Sequence, residues 1–502
     1  MQTSDPTTLA SAFEKARLVQ SAWAERPLKA RAKILREVAE VLIHRQEELA
    51  RLVSEETGKP EFEAYSSDIF PSITLLPMIA DDGPDFLSDK KIAMRLLPYR
   101  KSKINYWPLG VVSVISPWNY PFMLAFADIA MALFAGNAVI FKPSEWTQRT
   151  GQAIQDLFDQ TSLPAGLLQT FQGDGKMGQA ILENRPDKVF FTGSVATGKK
   201  IAEFCAKSLT PVNLELGGNN PMIVLSDAHL DHATSAALWG GFCNAGQACG
   251  SVQRIFVHES IRDPFTELLK TKVQNLRSSR SAQTGPYDIG RITLPNQANH
   301  YEDQLSKARE AGVKIEMGGH LSPDRRYLEP TVISGPGIED SEIFKKEFFG
   351  PMVAISTFRS VQEAITKANE TNYGLVASVF SQDRRMAESV ARKIQVGTVL
   401  VNEVLFTAGL METPWGGLKD SGLGRTHSLE GLKEFVHARH INSPISGFMV
   451  FKALWWFPYT PFQYGMFRAL GRIYSRSWSR KLRALPELLW NFVQFLKNEP
   501  RV

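Results

Sequence analysis

From about Thr8 to Gly58, apolar residues recur at spacings of three and four, with Ile34, Val38, Val41 and Leu42 followed by Leu49 and Leu52 and dense charge between them. That period predicts amphipathic helices, and Gly58-Lys59-Pro60 predicts their end. Between Ile104 and Pro211 the pattern changes. Short continuous apolar runs, Val111-Val112-Ser113-Val114-Ile115, Ala138-Val139-Ile140-Phe141 and Val189-Phe190-Phe191, alternate with helical stretches such as Thr147 to Phe158. This alternation predicts βαβ units and a parallel sheet. A second block of the same kind runs from Pro221 to about Val401, with strand-like runs at Met222-Ile223-Val224, Ile255-Phe256-Val257 and Val353-Ala354-Ile355-Ser356. The economical reading is two α/β domains, without internal repeats or low-complexity linkers.

Length agrees, since 502 residues exceed what one hydrophobic core organises and 43% of them are hydrophobic. Three cysteines, Cys205, Cys243 and Cys249, are too few for a disulfide framework, and the N-terminal residues carry no apolar signal core. A reducing, cytoplasmic location is expected. The net charge of +5 is unevenly spread: from Ser443 onward nine Lys/Arg face two Asp/Glu, roughly +7, which leaves the rest near −2. No nucleic-acid partner and no metal are expected.

The candidate chemistry centres on Cys249, bracketed by small residues in Asn244-Ala245-Gly246-Gln247-Ala248-Cys249-Gly250 that allow close approach to the backbone. Alone, a free cysteine reads as a small buried hydrophobe. Glu215 lies between two leucines before Gly217-Gly218, where desolvation would raise its pKa toward that of a general base. Asn119, pinned between Pro117 and Pro121, offers a rigid amide to a developing oxyanion. Val189-Phe190-Phe191-Thr192-Gly193-Ser194 followed by Gly198 reads as strand, glycine turn and helix start, a phosphate-receiving arrangement whose spacing is not G-x-G-x-x-G. Phe141-Lys142-Pro143-Ser144-Glu145 offers one cation and one carboxylate to the hydroxyls of an adenosine ribose.

From about Thr8 to Ile441 the sequence resembles the aldehyde dehydrogenase superfamily. Pro117-Trp118-Asn119, Lys142-Pro143-Ser144-Glu145, Phe191-Thr192-Gly193-Ser194, Glu215-Leu216-Gly217-Gly218, Gly246-Gln247-Ala248-Cys249, Glu347-Phe348-Phe349-Gly350-Pro351 and Pro414-Trp415-Gly416-Gly417 occur in the family's order. The resemblance implies an α/β fold with a Rossmann-like, parallel-sheet NAD(P)-binding domain over residues 1–89 and 108–216. It also implies a catalytic α/β domain over 217–414 and a small β bridging arm over 90–107 and 415–441 that joins subunits into dimers or tetramers. Residues 442–502 are expected to form an aromatic, basic, helical extension. Cys249 would attack an aldehyde, Asn119 would hold the oxyanion and Glu215 would activate the water that hydrolyses the thioester. Trp118, Lys142, Ser144, Glu145, Gly193, Ser194, Gly198, Leu216, Glu347 and Phe349 would bind the cofactor, NAD in preference to NADP because anionic Glu145 would repel a 2′-phosphate.

Gly424-Arg425 is followed by Thr426-His427-Ser428, where many hydrolytic members have Glu. That departure leaves His427 open between a proton relay and a structural role. Apolar Tyr120, Met123, Leu124, Val404, Leu405 and Phe406, with no arginine cluster among them, favour a hydrophobic aliphatic or aromatic aldehyde over a semialdehyde. The apolar run from Met449 to Tyr459 is too short and interrupted to span a bilayer. Beyond it, Arg468, Arg472, Arg476 and Arg480 recur every fourth residue beside aromatic and leucine positions, the pattern of an interfacial helix and hence of peripheral membrane contact. Packing on a partner subunit is the other reading of this tail. For the whole chain, a catalytically retired, membrane-associated scaffold stands as the alternative to an active enzyme.

Overall fold

Gly58 stops the first long helix through its backbone. Helix Leu28–Thr57 buries Ile34, Leu35, Val38, Leu42, Leu49 and Val53 on one face, and Gly58 then takes φ +84° while its N–H donates to the Ser54 carbonyl at 2.7 Å. A left-handed residue is the usual end of a helix, and glycine reaches it without steric cost. The computed structural model describes residues 3–97, 99–279, 286–447, 453 and 455–497. The chain divides into two units, one of Met1–Asp89 with Asn105–Arg439, the other of Lys90–Ile104 with His440–Val502.

In chain order the strands are β1 (Lys90–Ile92), β2 (Arg100–Pro108), β3 (Val111–Ile115), β4 (Ala138–Lys142), β5 (Leu168–Thr170), β6 (Lys188–Thr192), β7 (Val212–Glu215) and β8 (Asn220–Val224). They continue with β9 (Val252–His258), β10 (Lys314–Met317), β11 (Thr331–Ser334), β12 (Met352–Phe358), β13 (Val376–Phe380), β14 (Thr398–Val401), β15 (Gly422–Leu423) and β16 (Val436–Pro444).

The larger unit holds two sheets. One has the order β15-β7-β6-β3-β4-β5 and is parallel except for β15; the other, β10-β11-β12-β9-β8-β13-β14, is parallel except for β10. Strands β3, β4 and β8 are buried along their whole length, as continuous apolar runs in two-sided parallel sheets require. From β3 the chain moves out to β4 and β5, then returns past β3 to β6 and β7. Open α/β sheets receive ligands beyond the strands' carboxyl ends at such a reversal.

The smaller unit contains β1, antiparallel to β2, and two helices, Pro461–Ile473 and Trp478–Lys497, packed against each other. The first helix is capped reciprocally: the Thr460 N–H donates to Gln463 Oε1 at 2.5 Å and the Gln463 N–H to Thr460 Oγ1 at 3.4 Å. The expected single arginine face is corrected here. Tyr474–Ser477 belong to neither helix, and the Ser477 N–H donates to Ser475 Oγ at 3.2 Å, a local bond that competes with helix continuation. Arg468 and Arg472 lie on the first helix and both pair with Glu487 of the second. Met449 and Lys452 of the apolar run lie outside the described residues. No described helix is long and apolar enough to cross a membrane.

Candidate active site

Four parallel strands deliver the expected residues to one end of their sheet. β3 leads into Ser116–Asn119, β4 ends at Lys142, β6 leads into Gly193 and Ser194, and β7 ends at Glu215. The Ser116 N–H donates to the Lys142 carbonyl at 3.1 Å and the Gly193 N–H to the Glu215 carbonyl at 3.0 Å, tying neighbouring strand ends together. A cavity of about 410 Å³ opens there. Trp118, Asn119, Gly193, Ser194, Glu215 and Leu216 border it from this sheet, and Cys249, Glu347 and Phe349 from the other. Lys142, Ser144, Glu145 and Gly198 do not line that cavity. The first three stand at the adjacent end of β4, and Gly198 lies in the first turn of helix Val195–Ala206.

Cys249 follows a strained turn. Asn244, Ala245 and Gly246 have φ of 50°, 54° and 68° in succession, the first two without glycine's freedom. A Cβ on Gly246 would come 2.0 Å from the Gly350 carbonyl oxygen, so this position needs glycine for space as well as for angle. Side-chain amides hold the turn in place. Asn244 Nδ2 donates to the Asn119 carbonyl at 2.9 Å and to the Gln247 carbonyl at 3.1 Å, and Asn220 Nδ2 donates to the carbonyls of Cys249 and Ser251, each at 2.8 Å.

Asn119 Nδ2 donates to the Gln247 carbonyl at 3.1 Å, which fixes the amide beside the thiol loop. Its own carbonyl accepts from Lys59 Nζ at 2.6 Å. Lys59 is fully buried, pairs with fully buried Asp68 at 2.9 Å and lies 4.1 Å from the centroid of the Tyr120 ring. Asp68 Oδ1 in turn accepts from the N–H groups of Phe122 and Met123 at 3.1 and 3.3 Å, fixing the start of helix Met123–Ala135. Sequence reasoning missed both members of this pair. In the sequence Lys59 reads only as part of a helix stop, and nothing local marks Asp68 as its partner.

Electrostatics set the resting protonation of the site. Burial pushes the Cys249 thiol up to about 12, with the Glu347 and Glu215 carboxylates adding to the effect. Glu215 is buried, and neither carboxylate oxygen has a hydrogen-bond partner among the described residues. Burial first, then the charge of Asp128, raises its pKa well above the usual carboxylate range; Arg425 opposes the rise and Glu434 adds a smaller contribution to it. Unsatisfied buried carboxylates are rare, and one beside a cavity is a receptor for a proton or a water. Burial also lifts Glu347 to about 8, partly offset by the Gly218 N–H at 3.2 Å.

The same end of the sheet has the shape of a dinucleotide cradle. A Cβ on Gly193 would meet the Phe191 ring at 2.5 Å, and one on Gly198 would meet Leu216 at 2.5 Å, so the two glycines let the turn and the helix start close on the cavity wall. Lys142 is buried, with Nζ 3.1 Å from the Pro143 carbonyl and 3.7 Å from Glu145. Phe349 takes φ +53° and meets Trp118 edge-on, ring centroids 5.7 Å apart. A cation and a carboxylate at one end, with a carboxylate and two aromatic rings at the other, suit a sugar–base unit at each end of a dinucleotide.

Cys249 also borders a second cavity, of about 290 Å³, walled by Tyr120, Met123, Leu124, Trp239, Leu405 and Phe406 among others and by no Arg or Lys of the described residues. His427 lines it as well. The thiol therefore stands between a polar cleft and an apolar one. Val404 is fully buried in the core and does not line either cavity, because it packs against Gly240.

A sequence model of the aldehyde dehydrogenase family matches residues 1–441. The chain is similar to 4,4'-diapolycopene aldehyde oxidase of Methylomonas sp, with 36% identity over 475 residues, 93% of this chain and 87% of that protein. That share exceeds what residues 1–441 provide, so the likeness reaches into the C-terminal extension. It is 38% identical over 439 residues, 86% of this chain and 84% of the other, to a Mycolicibacterium smegmatis protein named for succinate-semialdehyde dehydrogenase activity with NADP(+). Among solved structures, betaine aldehyde dehydrogenase from Staphylococcus aureus in complex with NAD+ superposes with a TM-score of 0.85 at 32% identity, covering 91% of each chain.

Proposed function

The chain belongs to the aldehyde dehydrogenase family, NAD(P)-dependent oxidoreductases, and from that premise we propose that it oxidises an apolar aldehyde to the carboxylic acid through a thioester on Cys249. The observation that carries this reading is the position of Cys249 on both cavities, with Asn119, Glu215 and Glu347 on one and apolar walls on the other. The sulfur attacks the aldehyde carbon, and its proton leaves the site as the C–S bond forms. The Asn119 amide and the Cys249 N–H stabilise the resulting oxyanion. Bound NAD(P) would supply the acceptor for the hydride that the former aldehyde carbon loses as the oxyanion becomes the thioester. Glu347 and Phe349 would hold the nicotinamide end of the cofactor, and Lys142 with Glu145 the adenosine end; Ser144, Trp118, Gly193, Ser194, Gly198 and Leu216 would shape the cradle. Glu215 then takes a proton from the water that cleaves the thioester.

The absence of a cation from the described walls of the apolar cavity weighs against a semialdehyde carrying a second carboxylate. NAD is the favoured cofactor because Glu145, 3.7 Å from Lys142, would sit close to a 2′-phosphate. The chain self-associates, on this proposal, through the sheet formed by β1, β2 and β16, and light scattering reads its oligomeric state. The helical pair of the C-terminal extension contacts anionic membrane. Formation of NADH and NADPH with decanal and benzaldehyde, in the parent and in Cys249→Ala, tests the central claim; equal rates in the two proteins would refute it.

A further inference from the structure

His427 occupies a backbone position that only glycine ordinarily takes. Its φ is +59° and its ψ 168°, and Ser428 follows with φ +56°. The chain is held there from both sides. Thr426 exchanges both main-chain hydrogen bonds with Trp415, at 2.8 and 2.9 Å, and the Ser428 N–H donates to the Met411 carbonyl at 2.7 Å. The imidazole thus fixed is almost wholly buried and lines the apolar cavity that Cys249 shares. Neither Nδ1 nor Nε2 has a hydrogen-bond partner among the described residues.

Such a group costs stability on two counts, a strained backbone and two desolvated polar atoms, and a molecule in the cavity would repay the second. Burial pushes the imidazole down to about 4, so it is neutral at physiological pH and presents one N–H donor and one lone pair without charge. A neutral donor and acceptor in an apolar enclosure complements an uncharged oxygen and offers no charge to balance a carboxylate.

We propose that His427 determines specificity by hydrogen-bonding an uncharged oxygen, a hydroxyl or a ketone, on the chain of the aldehyde away from the carbon that Cys249 attacks. This rests on the reading of the protein as a dehydrogenase of apolar aldehydes and narrows its substrate class.

The test compares decanal with decanals that carry a hydroxyl or keto group at successive carbons. Affinity is read by titration into Cys249→Ala, with and without His427→Gly, and kcat/KM in the otherwise unaltered chain. His427→Gly removes the imidazole at a φ that glycine favours and so preserves folding, while His427→Asn keeps a donor and an acceptor. The parent is expected to favour one oxygenated position by at least about tenfold. His427→Gly should lose that preference while still oxidising decanal, and His427→Asn should keep part of it. A parent without positional preference, a preference that survives in His427→Gly, or an equal loss of decanal oxidation in folded His427→Gly would each overturn the proposal. Selective binding by Cys249→Ala without any aldehyde oxidation by the parent would instead remove the dehydrogenase reading and leave the recognition intact.

Discussion

The ammonium of Lys59 lies 2.6 Å from the main-chain oxygen of Asn119, inside the protein and away from water. Through that bond and the Asp68 pair, the end of the first helical block fixes the amide proposed to receive the oxyanion. Lys59→Met should therefore act twice. It strands the Asp68 carboxylate, which costs about 3–5 kcal/mol for a broken buried pair, and it frees the Asn119 loop. Adding Asp68→Asn, which removes the stranded charge but keeps an acceptor for the Phe122 and Met123 N–H groups, should recover most of the melting temperature but not kcat. Recovery of both by the double variant would show that the pair serves stability alone.

Glu215 binds its proton more tightly in the folded chain than in the unfolded one, where its pKa is roughly 4.3. Between that value and the raised folded one, folding takes up a proton, so the contribution of this group to stability is full at low pH and declines as pH rises. Glu215→Gln removes the ionisation, and its melting temperature relative to the parent should climb as the medium goes from acidic to alkaline. Turnover depends on the opposite state. Hydrolysis by the parent should rise with pH, whereas Glu215→Gln should give one burst of reduced cofactor per site and a steady rate about 10²–10⁴-fold lower. Parental steady-state turnover in the variant would remove Glu215 from the proposed role.

Where apolar periodicity is strong, the sequence alone located the elements: the runs at Val111, Ala138, Val189, Met222, Ile255 and Val353 are all strands, because two-sided burial leaves an unmistakable continuous apolar signature. Asn119, Glu215 and Cys249 were legible for a different reason, since the glycines and prolines around them record close approach, whereas Trp118, Leu216, Glu347 and Phe349 follow only from the family resemblance. Lys59 and Asp68 were not legible as site residues, and His427 was legible only as a departure from the family pattern, open between a proton relay and a structural role. Their significance comes from contacts across the fold, and no local spacing encodes those. The arginine spacing in the tail misled because a period of four says nothing of whether the helix continues through Ser475 and Ser477.

Two glycines flank the thiol and should respond differently to one added methyl. At Gly246 the new carbon would meet the Gly350 backbone at 2.0 Å with φ at +68°, whereas at Gly250 it would meet the end of the Leu405 side chain at 2.7 Å. A backbone cannot yield as a leucine can. Gly246→Ala should displace the loop that carries Cys249 and lower kcat by about 10²-fold, the scale expected for misplacement of a reacting group by an ångström. Gly250→Ala should fold normally and chiefly change KM for bulky aldehydes, because Leu405 lines the apolar cavity. Equal loss of kcat in the two variants would contradict this account of the turn.

The helix Trp478–Lys497 buries Ala484, Asn491 and Phe495 and leaves Trp478, Leu482, Leu485 and Leu489 more than half exposed along another face. Arg476, Arg480 and Arg483 are also exposed, and no described carboxylate forms an ion pair with any of the three. Exposed leucines and a tryptophan in a segment that also carries unpaired cations suit an anionic lipid surface, where each arginine contributes about 1 kcal/mol. The intact chain should float with phosphatidylserine vesicles at low salt and much less with phosphatidylcholine. Replacing the three arginines with glutamine should weaken partitioning by about 100-fold, and Trp478→Ser with Leu482→Ser should weaken it at every salt concentration. Because β16 runs to Pro444, these substitutions test the surface without cutting a strand. Flotation indifferent to lipid charge and to both sets of substitutions would overturn the membrane assignment, and a concentration-dependent dimer lost in the apolar variant would assign this face to a second copy of the chain.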